Sequence, residues 1–252
     1  MGVASSIIAG LITLFFTSLL TIAGVGAAFI LIPVFISLGF DVHVAMATAL
    51  LLNAIAMAVA SFHFIRARLV VWRVAVPILV LATALAPFGA RVSQGMDRET
   101  LLWGFVGFLL FAAAMMLFYK PEPREEKQPF SRQATYGVVV GAVAGFLGGL
   151  LGVGGGNFIV PVLVWFGLDP KKASATTSFV VIFPSFSGFL THTSLGAVHY
   201  SLLGFTAAGS AVGAMVGAWL MTERLKQGQV KLIIGIVLFG VAARMVWTLL
   251  AH

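Results

Sequence analysis

Ten apolar stretches follow one another along this chain, and only two charged residues, Lys231 and Arg244, fall inside them. They run over residues 5–22, 27–38, 44–62, 74–90, 101–118, 133–151, 156–166, 173–190, 198–221 and 230–250. Most come close to the roughly 20 residues that carry a helix across about 30 Å of hydrocarbon. Stretches 27–38 and 156–166 are too short for that, and each directly follows a glycine cluster. Backbone groups in lipid must pair internally, which leaves helices as the economical solution for stretches of this kind. Composition agrees: 60% of the residues are hydrophobic and 9% charged, where a soluble domain carries about a quarter charged residues. An all-α polytopic membrane protein is the expectation. Without a basic segment ahead of it, the first stretch is read as a retained helix rather than a cleaved leader.

The chain also repeats itself. An offset of 128 residues lays Gly24-Val25-Gly26 on Gly152-Val153-Gly154, Pro33-Val34 on Pro161-Val162, and Gly39 on Gly167. The same offset pairs Asp41 with Asp169, Ala45 with Ala173, and Ala47-Thr48 with Ala175-Thr176. Identities on Gly, Pro, Asp and Thr are not what apolar low complexity produces, so the pattern marks a duplication. The polar, proline-rich run from Lys120 to Pro129 divides the copies. The expected organisation is an N-terminal transmembrane repeat over 1–119, a cytoplasmic linker over 120–132 and a C-terminal transmembrane repeat over 133–252.

Charge sets the expected hand. With both termini outside, 12 of the 15 Lys and Arg residues face the cytoplasm, two (Arg91 and Arg98) face out, and Arg244 lies within the last stretch. That arrangement requires five segments per half, with the halves inserted upside down relative to each other. The net charge of +7 therefore reads as a topology signal and not as a nucleic-acid surface. The absence of cysteine excludes a disulfide framework, a thiolate metal site and a cysteine nucleophile.

Inverted repeats with short, glycine-interrupted helices in matching positions place a transporter's site at the repeat interface. A helix start presents unpaired N–H groups and about half a positive charge, so two starts pointing together form an anion site. The candidate substrate groups are Gly24 and Gly26 in the first half, and Gly152, Gly154, Gly155, Gly156 and Asn157 in the second. The same glycines would also serve close helix crossings. A dinucleotide site is the weaker reading, since no strand precedes them and both flanks are helical and apolar.

Thr48, Thr176, Thr177 and Ser178 are candidate neutral donors, with Asn53 nearby. Such hydroxyls also commonly bond their own helix. His63, His192 and Arg244 are candidates for ion coupling, because ionisable groups near spans are functional by default. Asp41 and Asp169 read as helix caps. No cofactor or metal is expected.

The run Ala144-Gly145-Phe146-Leu147-Gly148-Gly149-Leu150-Leu151-Gly152-Val153-Gly154-Gly155-Gly156-Asn157-Phe158-Ile159-Val160-Pro161-Val162-Leu163 resembles the signature of the TauE/SafE anion permeases. Ala23 to Pro33 is a weaker copy, with Ala27 and Ala28 opposite Gly155 and Gly156. The resemblance covers essentially the whole chain. It implies a multi-pass protein of the cytoplasmic membrane, a secondary transporter that exports small sulfur-containing oxyanions such as sulfite or organosulfonates, or else a permease for another small organic anion. Its partners would be a small anion, membrane lipid, a coupling proton and a second copy of the chain, with no nucleic acid. A membrane-embedded enzyme or a channel is the competing class, and saturable counterflow separates a carrier from a channel.

Overall fold

The computed structural model describes residues 3–37, 39, 42–93, 95–118, 130–151, 156–193 and 200–250, and all regular structure among them is helical. The helices are α1 (Val3–Ala23), α2 (Ala28–Ser37), α3 (Val42–Arg66), α4 (Trp72–Ser93) and α5 (Arg98–Phe118), then α6 (Phe130–Leu151), α7 (Gly156–Trp165), α8 (Pro170–Thr193), α9 (Tyr200–Trp219) and α10 (Gln227–Leu250). A π-helical turn, Leu220–Arg224, continues α9. Among the described residues six helices are long and apolar enough to cross a membrane. The two short stretches are helices of 10 residues each, within a residue or two of the sequence reading.

Local chemistry explains the boundaries. α1 stops where Gly24 turns left-handed at φ +71°, with its N–H bonded back to the Thr21 carbonyl. α8 starts on Pro170, and the Asp169 carboxylate accepts from the backbone N–H groups of Lys171 and Lys172 at 2.8 and 3.3 Å. Asp169 is thus a cap, as expected; Asp41 lies outside the described residues.

Three pairings organise the bundle. α3 and α8 cross antiparallel, with Asn53 against Ser185 and Leu50 against Gly188. α1 runs parallel to α9, with Gly209 on Gly10, Gly213 on Leu14 and Gly217 on Ser18. α4 runs parallel to α6, with Gly137 on Val74, Gly141 on Ile78 and Gly145 on Ala82. In both parallel seams a Cβ on these glycines would strike the neighbouring backbone, so missing side chains let the helices approach.

One end of the bundle collects positive charge. Lys171 Nζ donates to the Thr222 carbonyl at 3.2 Å, and His63 Nε2 lies 3.0 Å from the Thr222 hydroxyl. These bonds gather the end of α3, the start of α8 and the turn after α9, bringing Arg66, Lys172 and Arg224 to that face. α4 starts at the same face, where the Val71 N–H donates to Thr176 Oγ1 at 3.1 Å. Burial departs from that of a soluble protein on both sides of the surface. Phe118 and Trp247 are 82% and 78% exposed, while Thr13, Thr17, Thr21 and Thr177 are fully buried. A lipid solvent accounts for both observations.

Candidate functional site

A cavity of about 650 Å³ lies where α2, α3, α7, α8 and α10 converge, with one α5 residue, Leu102, at its wall. Its polar lining comprises Asn53, Asn157, Ser185, Thr248 and Arg244; its apolar lining includes Phe29, Ile32, Leu50 and Val181. Among the described residues that line it, Arg244 carries the only charge, and no carboxylate is present. Asn53 is near the midpoint of the 25-residue α3, so the cavity reaches the middle of a span.

The two short helices both begin here. Gly26 has φ +85°, a left-handed turn that directs the chain into α2. A Cβ on Gly26 would fall on the Asn53 carboxamide. Asn53 is only 3% exposed and its carboxamide is engaged at both ends: Oδ1 accepts from the Ala27 N–H at 2.7 Å, and Nδ2 donates to Ser185 Oγ at 2.7 Å. The start of α7 lies beside it, since a Cβ on Gly156 would come within 3.2 Å of the Val25 carbonyl oxygen. Val181 covers Gly156 from α8, its Cγ2 2.9 Å from that Cβ position. Asn157 is 3% exposed, and its Oδ1 has no partner among the described residues.

The sequence-derived candidates separate into groups. Gly26, Asn53, Gly156, Asn157 and Arg244 line the cavity. Gly24 is close by but packs on Ser174, where a Cβ would come within 2.6 Å of the carbonyl oxygen. Gly152, Gly154 and Gly155 lie outside the described residues, as does the side chain of His192. The hydroxyls one segment further on do not line the cavity. Thr177 and Ser178 donate to the carbonyls of Ala173 and Ser174, one turn back. Thr176 accepts from Val71, and the buried Thr48 hydroxyl has no partner among the described residues. His63 is bonded on the basic face.

Like Thr248, Ser185 is a lining hydroxyl that sequence reasoning passed over. Its repeat mate is Met57, so a search for identities between the copies had no reason to stop there. Among the described residues no group of three or more His, Asp or Glu is placed to hold a metal ion.

A bundle of spanning helices around a midspan cavity, into which two half-length helices begin, is the architecture of a polytopic membrane transporter. Comparison with known proteins gives the family. Residues 7–245 match the family described as Sulfite exporter TauE/SafE, and the chain belongs to it. It is a multi-pass membrane protein. It is similar to the probable membrane transporter protein YunE of Bacillus subtilis, at 27% identity over 63% of this chain and 64% of that protein. It is also similar to the probable membrane transporter protein y4hK of Sinorhizobium fredii, at 23% identity over 83% of this chain and 85% of that one. Sulfite exporter TauE/SafE family protein 1 of Arabidopsis thaliana is 37% identical over 38% of this chain, a match spanning only 22% of the plant protein.

Proposed function

We propose that this protein is a secondary transporter, an exporter, that carries small sulfur-containing oxyanions across the cytoplasmic membrane by alternating access. The observation that carries this reading is the charge of the cavity: one guanidinium, two carboxamides and two helix starts, with no carboxylate among the described lining residues. Such a site favours an anion and disfavours a cation or amine. The family description and the plant relatives' names, which specify sulfite export, point the same way.

The size of the cavity sharpens the substrate. About 650 Å³ falls in the range of sites for whole organic ligands, and Phe29, Ile32, Ile36 and Leu249 line it. An organosulfonate, or another small organic anion with an apolar tail, therefore fills it better than bare sulfite. Arg244 takes the substrate's charge in this reading and Asn157 orients it.

The two halves are inverted copies. This is supported by the 128-residue repeat and by the seams, because the offset exchanges the α1/α9 pair with the α6/α4 pair. α4 starts at the basic face and its parallel partner α6 starts there too; α9 ends at that face, so its parallel partner α1 starts opposite. With the basic face cytoplasmic, the linker is inside.

The test is counterflow. Purified protein in liposomes preloaded with a small sulfonate or sulfite should drive saturable uptake of labelled external anion. Conductance that rises linearly without counterflow would indicate a channel, and selective uptake of amines would contradict the reading altogether.

A further inference from the structure

The cavity is one-sided, and the repeat identifies what would complete it. Met46, Leu50 and Asn53 line it from α3, Val181, Ser185 and Gly188 from α8, and Arg244 and Thr248 from α10. α3 ends at the basic face, α8 begins there, and α10 begins just past the turn held to it. These lining residues therefore run from midspan to the opposite face. On α3 they belong to one helix stripe, Met46, Leu50, Asn53, Met57 and Ala60, in steps of four and three. The matching stripe of α8 reads Ser174, Ser178, Val181, Ser185 and Gly188, and the 128-residue offset lays the first on the second throughout. Three positions of each stripe line the cavity. The others, Met57 and Ala60 on α3 and Ser174 and Ser178 on α8, lie on its basic side and are fully buried. Other walls repeat the pattern: Leu102 and Arg244 line the cavity, while their mates Val230 and Met116 are buried. The buried half also has a tie. Ser174 Oγ donates to the Ile22 carbonyl at 2.8 Å, fastening α8 to the end of α1. Met46, the mate of Ser174, has no hydroxyl to make such a bond.

We infer that these buried positions are a second vestibule in its closed state. Met57, Ala60, Ser174, Ser178, Met116 and Val230 line the route between the centre and the basic face, and the Ser174–Ile22 bond holds it shut. The inference rests on the transporter reading with inverted halves, and adds which residues form the second route and what closes it. Inverted copies trade conformations around a fixed centre, so a residue that lines one vestibule has a mate that lines the other after the exchange. Asn53 and Val181 are mates of each other and line the cavity together. With Ser185, which is bonded to Asn53, they mark the centre that both routes reach. The structure is thus the state open away from the basic face. The two routes differ in charge, since Arg244 lines the open one and Met116 takes its place in the closed one.

Single thiols report each route, because the chain has no cysteine of its own. An impermeant, negatively charged thiol reagent is applied to either side of sealed vesicles of known orientation. Leu50→Cys should be labelled only from the side away from the basic face. Its mate, Ser178→Cys, should be labelled only from the basic side, and more slowly, because that route is shut in the state described. Ala60→Cys is a second reporter of the same route, should the serine variant fail to fold. Adding Ser174→Ala removes the tie and should speed labelling of either inner reporter by about fivefold without speeding that of Leu50→Cys. Equal acceleration of inner and outer reporters would mean general loosening and would overturn the role of the tie. Inner reporters that stay unreactive from the basic side, or that react from the opposite side, would overturn the second vestibule. Sulfonate counterflow in those same vesicles would then leave anion transport standing. Side-specific labelling as expected, with no counterflow of sulfite or a small sulfonate, would support the two routes and overturn the anion reading instead.

Discussion

α2 and α7 are both 10 residues long, both contain a proline (Pro33 and Pro161), and both begin at the same cavity. They differ in what leans over their starts: an engaged carboxamide at α2, a valine at α7. Helix length and proline belong to the repeated frame, because they shape a backbone that both copies need. The residue over the start has diverged, Asn53 at α2 and Val181 at α7. The seams show a related division. In α1/α9 the seam carries Gly209, Gly213 and Gly217 on α9 beside Gly10 on α1, and in α4/α6 it carries Gly137, Gly141 and Gly145 on α6 beside Gly89 on α4, although α6 is the repeat mate of α1. Close approach is retained while the helix that supplies most of the missing side chains has switched.

The difference between the helix starts is most exposed to glycine substitution. Gly26→Ala forces a Cβ into a left-handed residue and onto Asn53, so it combines backbone strain with a lost buried hydrogen bond, for a total of about 2–4 kcal/mol. Gly156→Ala places its Cβ against a movable valine methyl and 3.2 Å from the Val25 carbonyl oxygen, without a left-handed φ, and should cost about 1–2 kcal/mol. Thermal unfolding of the two purified variants in detergent should show a clearly larger drop for the first. Equal drops would mean that the two starts are built alike.

Arg244→Gln comes next. Removing the only charge among the described lining residues should weaken sulfonate binding by about tenfold at low ionic strength, with Arg244→Lys recovering part of the loss. Calorimetry at two salt concentrations checks it; affinity unchanged in the Gln variant would place the anion away from α10. The smallest effect concerns the outlying hydroxyls. Thr176→Val leaves the Val71 N–H unpaired and should lower stability by about 1 kcal/mol, with sulfonate affinity within a factor of about two of wild type. A large affinity loss at unchanged stability would return Thr176 to the site.

Much of this was legible in the sequence because membrane helices announce themselves by length and apolarity, and because duplication marks the positions that both halves need. The short helices, Gly26, Gly156 and the neighbouring Asn157 follow from those two signals. Asn53 and Arg244 stood out as polar groups within apolar stretches, and both line the cavity. What stayed hidden was pairing. Nothing along the chain says that Thr176 serves the backbone of Val71, 105 residues away, or that Thr177 and Ser178 turn back on their own helix. Ser185 and Val181 were hidden for the opposite reason. Their importance lies in not matching their mates, Met57 and Asn53, and a search for repeated identities discards such positions.

Alternating access is tested most directly at Ser185, which is deep in the cavity and bonded to Asn53. The chain has no cysteine, so Ser185→Cys places a single, nearly isosteric thiol there. A membrane-impermeant, negatively charged thiol reagent should label it when applied to either side of sealed vesicles of known orientation. A transported sulfonate should slow labelling from both sides. Labelling confined to one side under all conditions, or rates indifferent to the sulfonate, would contradict a carrier that exposes one central anion site to each face in turn.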